Sequence, residues 1–270
     1  MSSLFPITDL PAGCLKSKFN RDDGVLLIGH GTRDLVGTQQ FFSLGNKLSE
    51  LLDPVPVEPC LLELQPPTIA EGWRALVDRG VRRVLVSPLL LFSAGHAKSD
   101  IPHALSECSS QDHDMSWREA RPLSRAPELL SLVLHRLDAS LTKVCSPRDQ
   151  TAIVMVGRGS YDPCAQADMK LLTHWVAGHR PVATVVTSFY AMAEPKLPSV
   201  LSRVASLPSV RSIIVQPHLL FEGALYQSII QQTHEVAKSF PGKQFVISDY
   251  LGPEQEVAEA IVRRLAQQLP

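Results

Sequence analysis

The residues best suited to chemistry are two histidines and a glutamate that recur at one spacing. His30, Glu63 and His96 each lie 33 residues from the next. Two neutral imidazoles and a carboxylate suit a borderline divalent metal ion such as cobalt, iron or nickel. The same groups accept protons near neutral pH. The pattern therefore predicts a single site, with these three residues as its catalytic and metal-binding groups.

Each of the three residues lies at the end of a strand-like run. His30 follows the first run, Glu63 lies at the far end of the strand predicted for residues 55–64, and His96 follows the strand predicted for residues 82–91. Val25 to Ile28 is continuously apolar and is followed by Gly29-His30-Gly31, which is typical of a buried parallel strand and a sharp turn. Helix-like stretches separate the three runs, so the pattern is that of β-α units. In a doubly wound sheet of order 2-1-3-4 these strands are neighbours. Their carboxyl ends then bring the three side chains together at the edge where ligands bind.

The second part of the chain repeats the first. Residues 153–162 match residues 25–34 at an offset of 128. Within this match two glycines and an aspartate of the first copy recur at Gly157, Gly159 and Asp162. Residues 215–221 match residues 86–92 at an offset of 129. Two copies of one set of β-α units are the simplest account. We expect an α/β fold made of two tandem doubly wound parallel-sheet halves, flavodoxin-like in topology, facing a central cleft.

These matches set the expected domain boundaries. Residues 1–23, with Pro6, Pro11 and mixed charge, are expected to form a loose leader and not a secretory signal. Residues 24–146 form the first half, which carries the site. A Pro-containing linker follows, and residues 151–270 form a degenerate second half that covers the cleft.

The second copy lacks every predicted ligand. Arg158 stands in place of His30, Ala191 in place of Glu63, and Ala224 or Leu225 in place of His96. The glycines and prolines of the turns are retained. Loss of all three ligands together is expected if they are functional and not structural. The sequence therefore predicts one functional site, in the first half.

Composition excludes several classes of partner. A formal net charge of -1 and a pI near 6.8 leave no basic excess for nucleic acid. No apolar run approaches the ~20 residues that a membrane span needs. The five cysteines are scattered without a C-x-x-C pair, which argues against a disulfide framework and a cysteine metal site. A cytoplasmic location fits best.

Three motifs together resemble those of the sirohydrochlorin chelatases, the ATP-independent class II chelatases. They are Gly29-His30-Gly31-Thr32-Arg33, Leu62-Glu63-Leu64 followed by Pro67-Thr68-Ile69, and Pro88 to Phe92 followed by Gly95-His96 and Asp100-Ile101-Pro102. The resemblance runs from Gly24 to Leu269 and matches the long, two-half form of the family. That form implies a monomer whose halves mimic the homodimer of the short form.

The resemblance implies insertion of a divalent metal ion, as substrate, into a tetrapyrrole, with no permanent cofactor. His30 and His96 would bind the incoming metal, and Glu63 would complete the site or accept a pyrrole proton. Sirohydrochlorin carries many carboxylates, and Arg33, Lys98 and Arg158 beside the strand ends are the candidate substrate-binding residues.

Several alternatives remain open at this point. Co²⁺ insertion towards cobalamin is favoured by the two-half form, with Fe²⁺ insertion towards siroheme as the alternative and Ni²⁺ as a further possible metal. A chelatase for a more hydrophobic porphyrin is a second enzyme hypothesis. A metal or tetrapyrrole carrier without turnover is the non-enzyme hypothesis, for which Glu63 would have less use as a base.

Overall fold

The structure, a computed structural model, describes residues 12–92, 95–112 and 114–270, without the side chains of residues 12, 13 and 95–98. Contacts group the chain into two compact units. Unit 1 takes in the chain up to Leu129 together with Pro253–Pro270, and unit 2 is Leu130–Gly252. Within the described residues no helix is long and apolar enough to cross a membrane.

Each unit contains a four-stranded parallel sheet. The strands of the first sheet are β1 (Asp23–Gly29), β2 (Val57–Leu61), β3 (Arg83–Pro88) and β4 (Ser116–Glu119), in the order β2-β1-β3-β4. Those of the second sheet are β5 (Thr151–Gly157), β6 (Thr184–Phe189), β7 (Ser212–Pro217) and β8 (Gln244–Ile247), in the order β6-β5-β7-β8. The predicted order 2-1-3-4 is confirmed in both copies.

Helices connect the strands, as a parallel sheet requires. Within the described residues the α-helices are α1 (Ala12–Leu15), α2 (Leu35–Leu52), α3 (Ile69–Asp78), α4 (Gly95–Gln111), α5 (Pro127–Leu141), α6 (Pro163–His179), α7 (Leu197–Ala205), α8 (Ala224–Lys238) and α9 (Gln255–Ala266). Strand β2 is shorter than the strand predicted for residues 55–64, because residues 62–67, which include Glu63, are bends and not regular strand.

The central strands are apolar because they are buried on both faces. Every residue of β1 and of β5 is buried. In unit 1, Leu26 and Ile28 of β1 belong to a core that includes Trp73 and Leu76 of α3 and Leu105 of α4. An equivalent core in unit 2 surrounds β5. Burial of these strands along their whole length fixes the position of their carboxyl ends in each sheet.

The compact units differ from the sequence repeats by two helices, α9 and most of α5. Helix α9, at the end of the second copy, packs against α2 and β3 of unit 1 and buries Val257, Ile261 and Leu265. Most of α5, from the first copy, belongs to unit 2, where Arg136 Nε donates to the carbonyl oxygen of Tyr250 over 3.0 Å. The sheet that a helix covers is thus determined by where its apolar face packs and not by the boundary between the sequence repeats.

Part of the segment that we expected to be a leader belongs to unit 1. Helix α1 contacts α9, and Leu15 is buried. Asp23, at the start of β1, accepts from Arg83 Nε and Nη2 over 2.6 and 2.9 Å. The segment of residues 12–23 therefore belongs to unit 1, where it packs on α9 and leads into β1, whereas residues 1–11 lie outside the described residues.

A capping box begins α3, directly after the turn that carries Glu63. Thr68 Oγ1 accepts from the Glu71 amide over 3.3 Å, and Glu71 accepts from the Thr68 amide over 2.6 Å. We expect Thr68→Ala to lower the free energy of unfolding by about 1 kcal/mol. Lys196→Ala is the matched control, because Lys196 is the N-cap of α7 and makes no side-chain cap. Urea unfolding of both variants measures the difference, and equal losses would contradict it.

Candidate metal and tetrapyrrole site

His30 and Glu63 lie side by side at the carboxyl edge of the first sheet. His30 follows the last residue of β1, and Glu63 lies two residues beyond β2. The backbones stay paired past the strands, since Leu62 N–H donates to Gly29 O over 2.8 Å and Glu63 N–H to His30 O over 3.2 Å. The neighbouring strands β1 and β2 thus bring together two residues 33 positions apart.

The two side chains face each other at a separation that suits a shared metal ion. His30 Nε2 and Glu63 Oε1 are 3.5 Å apart, with 49% and 54% of the side chains exposed. This is longer than a charge-assisted hydrogen bond of about 2.8 Å. Two ligand atoms bound at about 2.1 Å in a tetrahedral arrangement are about 3.4 Å apart. The pair can therefore bind one borderline divalent ion, and its exposure leaves the ion accessible.

Gly31 allows the two turns to approach each other. Its φ is 96°, and a Cβ built there would lie 2.1 Å from the carbonyl oxygen of Glu63. An L-residue is disfavoured at this φ, and no side chain fits in the space. Gly31 therefore sets the distance between the turn after β1 and the turn after β2.

Gln65 is a positioning residue that the sequence did not reveal. Its Nε2 donates to the carbonyl oxygen of Thr32 over 2.6 Å and so ties the second turn to the first. In unit 2 the corresponding carbonyl, of Ser160, accepts from Gln166 Nε2 over 2.9 Å. The two glutamines come from different elements, so no repeat pattern relates them. Both units nevertheless have a glutamine amide that donates to this carbonyl oxygen, because a backbone carbonyl at this turn needs a donor.

The third predicted ligand is placed by backbone only. His96 is the second residue of α4, which begins at Gly95 in the segment after β3. The side chains of His96 and Lys98 lie outside the described residues. Among the side chains that are described, no group of three His, Cys, Asp or Glu is arranged to hold a metal ion.

Unit 2 repeats this turn geometry without the candidate ligands. Gly159 has φ 91°, and a Cβ there would lie 1.7 Å from Ala191 O. The Ala191 amide donates to Arg158 O over 2.9 Å, just as the Glu63 amide donates to His30 O in unit 1. Helix α8 begins at Ala224, which places Leu225 at the second helical position that His96 occupies in α4. The glycines thus belong to the shared scaffold, whereas the candidate ligands are present in the first copy alone.

The predicted substrate-binding arginines lie beside the strand ends. Arg33, in the turn between β1 and α2, and Arg158, directly after β5, are both exposed. Asp34 accepts from the Gly37 amide over 2.8 Å, which caps α2 and fixes the turn that carries Arg33. Their contacts with substrate remain predictions.

His218 is a core residue of unit 2. It directly follows β7, is 6% exposed, and its amide donates to Val156 O over 2.8 Å. Leu89 makes the same backbone bond, to Ile28 O, in unit 1. Burial lowers the pKa of His218 from 6.5 to about 4. The imidazole is therefore neutral in the folded protein at neutral pH.

This burial makes unit 2 sensitive to acid. Between pH 6.5 and about 4 the unfolded state binds a proton at His218 that the folded state does not, so stability falls as pH decreases through this range. The loss is about 2 kcal/mol at pH 5. We expect His218→Leu, which introduces the residue present in the other copy, to flatten the dependence of Tm on pH. An unflattened curve for His218→Leu would contradict the assignment.

Fold and site together define a class of protein. It is a tandem α/β protein with two 2-1-3-4 parallel sheets and a histidine–glutamate pair at the carboxyl edge of the first. The CbiX family model matches residues 24–140 and again residues 152–268, and the chain belongs to this family. The two matches coincide with the two sequence repeats.

Individual relatives agree with this membership. A sirohydrochlorin ferrochelatase of Priestia megaterium is 30% identical over 239 residues, 88% of each chain. A sirohydrochlorin cobaltochelatase of the same organism is 28% identical over 228 residues, 84% of this chain and 74% of that one. The solved structure of SirB from Bacillus subtilis with Fe³⁺ superposes with a TM-score of 0.81 at 27% identity, covering 92% of this chain and 95% of that chain.

Proposed function

We propose that this chain inserts Co²⁺ into sirohydrochlorin without ATP, using His30, Glu63 and His96 of the first repeat. Family membership makes it a metal chelatase, a lyase, and its relatives are named for sirohydrochlorin. The observation that carries the assignment of residues is the His30–Glu63 pair, 3.5 Å apart and half exposed, at a place where the second repeat has arginine and alanine.

The proposed pair supports both halves of the reaction. The incoming ion loses water as it enters the macrocycle, and imidazole and carboxylate replace that water without binding as tightly as thiolates. Metal insertion releases two pyrrole protons for each M²⁺ taken up, so the total charge balances. Glu63 Oε1 is the nearest described carboxylate oxygen to His30 Nε2 and is the proposed acceptor of a pyrrole proton.

The metal is the finer part of the proposal. An imidazole and carboxylate site binds Co²⁺ more tightly than Fe²⁺ when both are equally available. Fe²⁺ is the second candidate, because relatives that match 88% and 90% of this chain are named ferrochelatases. The length of the match does not distinguish cobalt from iron, since the cobaltochelatase relative also matches 84% of this chain.

Anaerobic incubation with sirohydrochlorin and Co²⁺, Fe²⁺ or Ni²⁺ in turn tests the proposal. The absorption shift of the macrocycle follows insertion, and we expect Co²⁺ to react faster than Fe²⁺ at equal concentration. A rate no higher than the uncatalysed one with every metal would contradict chelatase activity. Faster insertion of Fe²⁺ would replace the proposed metal and leave the site unchanged.

Two further arms test the alternatives from the sequence. A carrier binds sirohydrochlorin but leaves it unmetallated when metal is in slight excess, whereas the proposed enzyme turns over many equivalents. A hydrophobic porphyrin replaces sirohydrochlorin in the second arm. We expect little reaction with it, because basic residues lie beside the strand ends of the first sheet.

A further inference from the structure

The loop between β4 and α5, residues 120–126, lies at the same edge of the first sheet as His30. Leu123 N–H donates to Leu90 O over 2.8 Å, and Leu89 N–H donates to Ile28 O over 2.8 Å. The loop therefore continues the sheet beyond the ends of β3 and β1. Because β4 is two strands from β1, the loop is about 10 Å from the turn that carries His30.

This loop is basic, and a helix from the far end of the chain adds to its charge. Arg121 and Arg125 are exposed. Arg264 of α9 donates through Nη2 to the carbonyl oxygen of Ser124 and through Nη1 to Gln267 Oε1 over 3.1 Å. Both acceptors are uncharged, so these bonds position the Arg264 guanidinium against the loop without neutralising it.

The nearby carboxylate is already engaged. Glu128 Oε1 accepts from Arg263 Nε over 2.5 Å, and both side chains are about nine-tenths buried. Burial lowers the pKa of Arg264, Glu128 acts in the opposite direction, and the charges of Arg121, Arg263 and Arg125 lower it further. The charges of Arg121, Arg125 and Arg263 thus all act on the Arg264 guanidinium, and the charge of Glu128 opposes them.

The equivalent loop of the second repeat has the opposite charge. It runs from Ser248 to Glu254 between β8 and α9, and Leu251 N–H donates to Leu219 O over 2.8 Å, as Leu123 donates to Leu90. In this register Asp249 occupies the place of Arg121. The scaffold of the loop is shared, whereas the positive charge is confined to the repeat that carries His30.

The backbone of Arg125 is also specific to the first repeat. Its φ is 62°, which costs an L-residue about 1 kcal/mol. The corresponding residue is Pro253, whose ring fixes a negative φ, so the shared scaffold does not require this conformation. Leu64 and its counterpart in the second copy, Met192, show the contrasting case, because a positive φ is present there in both copies. A local strain retained at an exposed arginine points to a role for its side chain.

We propose that the loop of residues 120–126 binds peripheral carboxylates of the tetrapyrrole through Arg121 and Arg125, with Arg264 as the residue that positions the loop. The inference rests on the proposed function, because it takes sirohydrochlorin as the substrate. Guanidinium groups bind carboxylates through two parallel hydrogen bonds, which gives both affinity and orientation. Anchoring the rim of the macrocycle at this distance places its centre near the turn of His30.

The test compares Arg121→Gln/Arg125→Gln with wild type in two assays. One is binding of metal-free sirohydrochlorin, followed by fluorescence, and the other is steady-state metal insertion. We expect Kd and KM to rise about tenfold, with kcat within about twofold, since the loop binds substrate and does not contact the metal. Arg82→Gln is the matched control, because Arg82 is exposed at the opposite edge, directly before β3.

Esterified sirohydrochlorin shows whether the lost interaction is with carboxylates. We expect the variant and wild type to bind the ester equally. Arg125→Gly removes the charge while relieving the positive φ, so it tests the same contact without loss of stability. Unchanged Kd in the double variant, or an equal rise in Arg82→Gln, would overturn the proposal. Binding is measured without metal, so failure of metal insertion alone contradicts the proposed function and not this loop; wild type that does not bind sirohydrochlorin overturns both.

Discussion

Replacing His30 with alanine is expected to lower the rate of metal insertion by about 100-fold or more, without unfolding the protein. The variant loses the Nε2 atom that lies 3.5 Å from Glu63 Oε1, and with it one of the two proposed ligands whose side chains are described. Glu63→Gln keeps the shape of the side chain but removes its charge and basicity, and should also cost about 100-fold. Anaerobic stopped-flow absorption with Co²⁺ measures both rates.

A second histidine–glutamate pair provides the control. His103 Nε2 lies 3.3 Å from Glu107 Oε1 on the surface of α4, with similar composition and greater exposure. We expect His103→Ala to keep the wild-type rate, because this pair faces solvent on a helix and not the strand ends. If His30→Ala retained full activity, or if His103→Ala were equally impaired, the site assignment would be wrong.

Substituting Gly31 by alanine is expected to lower the free energy of unfolding by about 3 kcal/mol and to abolish most activity. The positive φ of 96° costs about 1 to 2 kcal/mol for an L-residue. The added Cβ also meets the Glu63 carbonyl oxygen, which belongs to the backbone and cannot rotate away. The turns after β1 and β2 must therefore separate, which moves Glu63 away from His30.

Substitutions at two other glycines separate the cost of the positive φ from the cost of the close contact. Gly80→Ala has a φ of 78° with nothing within 4 Å of the added Cβ, so it reports the backbone strain alone, about 1 kcal/mol. Gly159→Ala repeats the close contact in unit 2, at the carbonyl oxygen of Ala191. We expect it to cost as much stability as Gly31→Ala while leaving the His30–Glu63 distance unchanged. Chemical denaturation and the insertion assay separate the outcomes, and full activity of Gly31→Ala would contradict the account of this turn.

Much of the fold was predictable because each unit obeys a strong local pattern. Continuous apolar runs such as Val25 to Ile28 indicated buried parallel strands, and the offset of 128 residues between Gly31 and Gly159 indicated two copies of one topology. The order of strands followed from where candidate ligands had to meet. The exchange of α9 was not predictable, since its apolar face would suit either sheet and only packing decides between them.

The site was predictable to the level of residue types at strand ends. The adjacency of His30 and Glu63 followed from one β-α unit of separation. Gln65 was missed because its partner is a backbone carbonyl, which has no sequence signature. Arg121 was missed because the loop after β4 carries no candidate ligand, and the charge of Arg264 reaches that loop from 140 residues further along the chain. Such contacts depend on tertiary packing and not on local pattern.

The central claim is that the first repeat alone binds the metal ion that is to be inserted. Anomalous X-ray diffraction at the cobalt edge, on crystals soaked anaerobically in Co²⁺, tests it most directly. We predict one strong peak about 2.1 Å from both His30 Nε2 and Glu63 Oε1, with no peak at Arg158 and Ala191. A peak away from His30, or one that persists unchanged in His30→Ala crystals, would contradict the account.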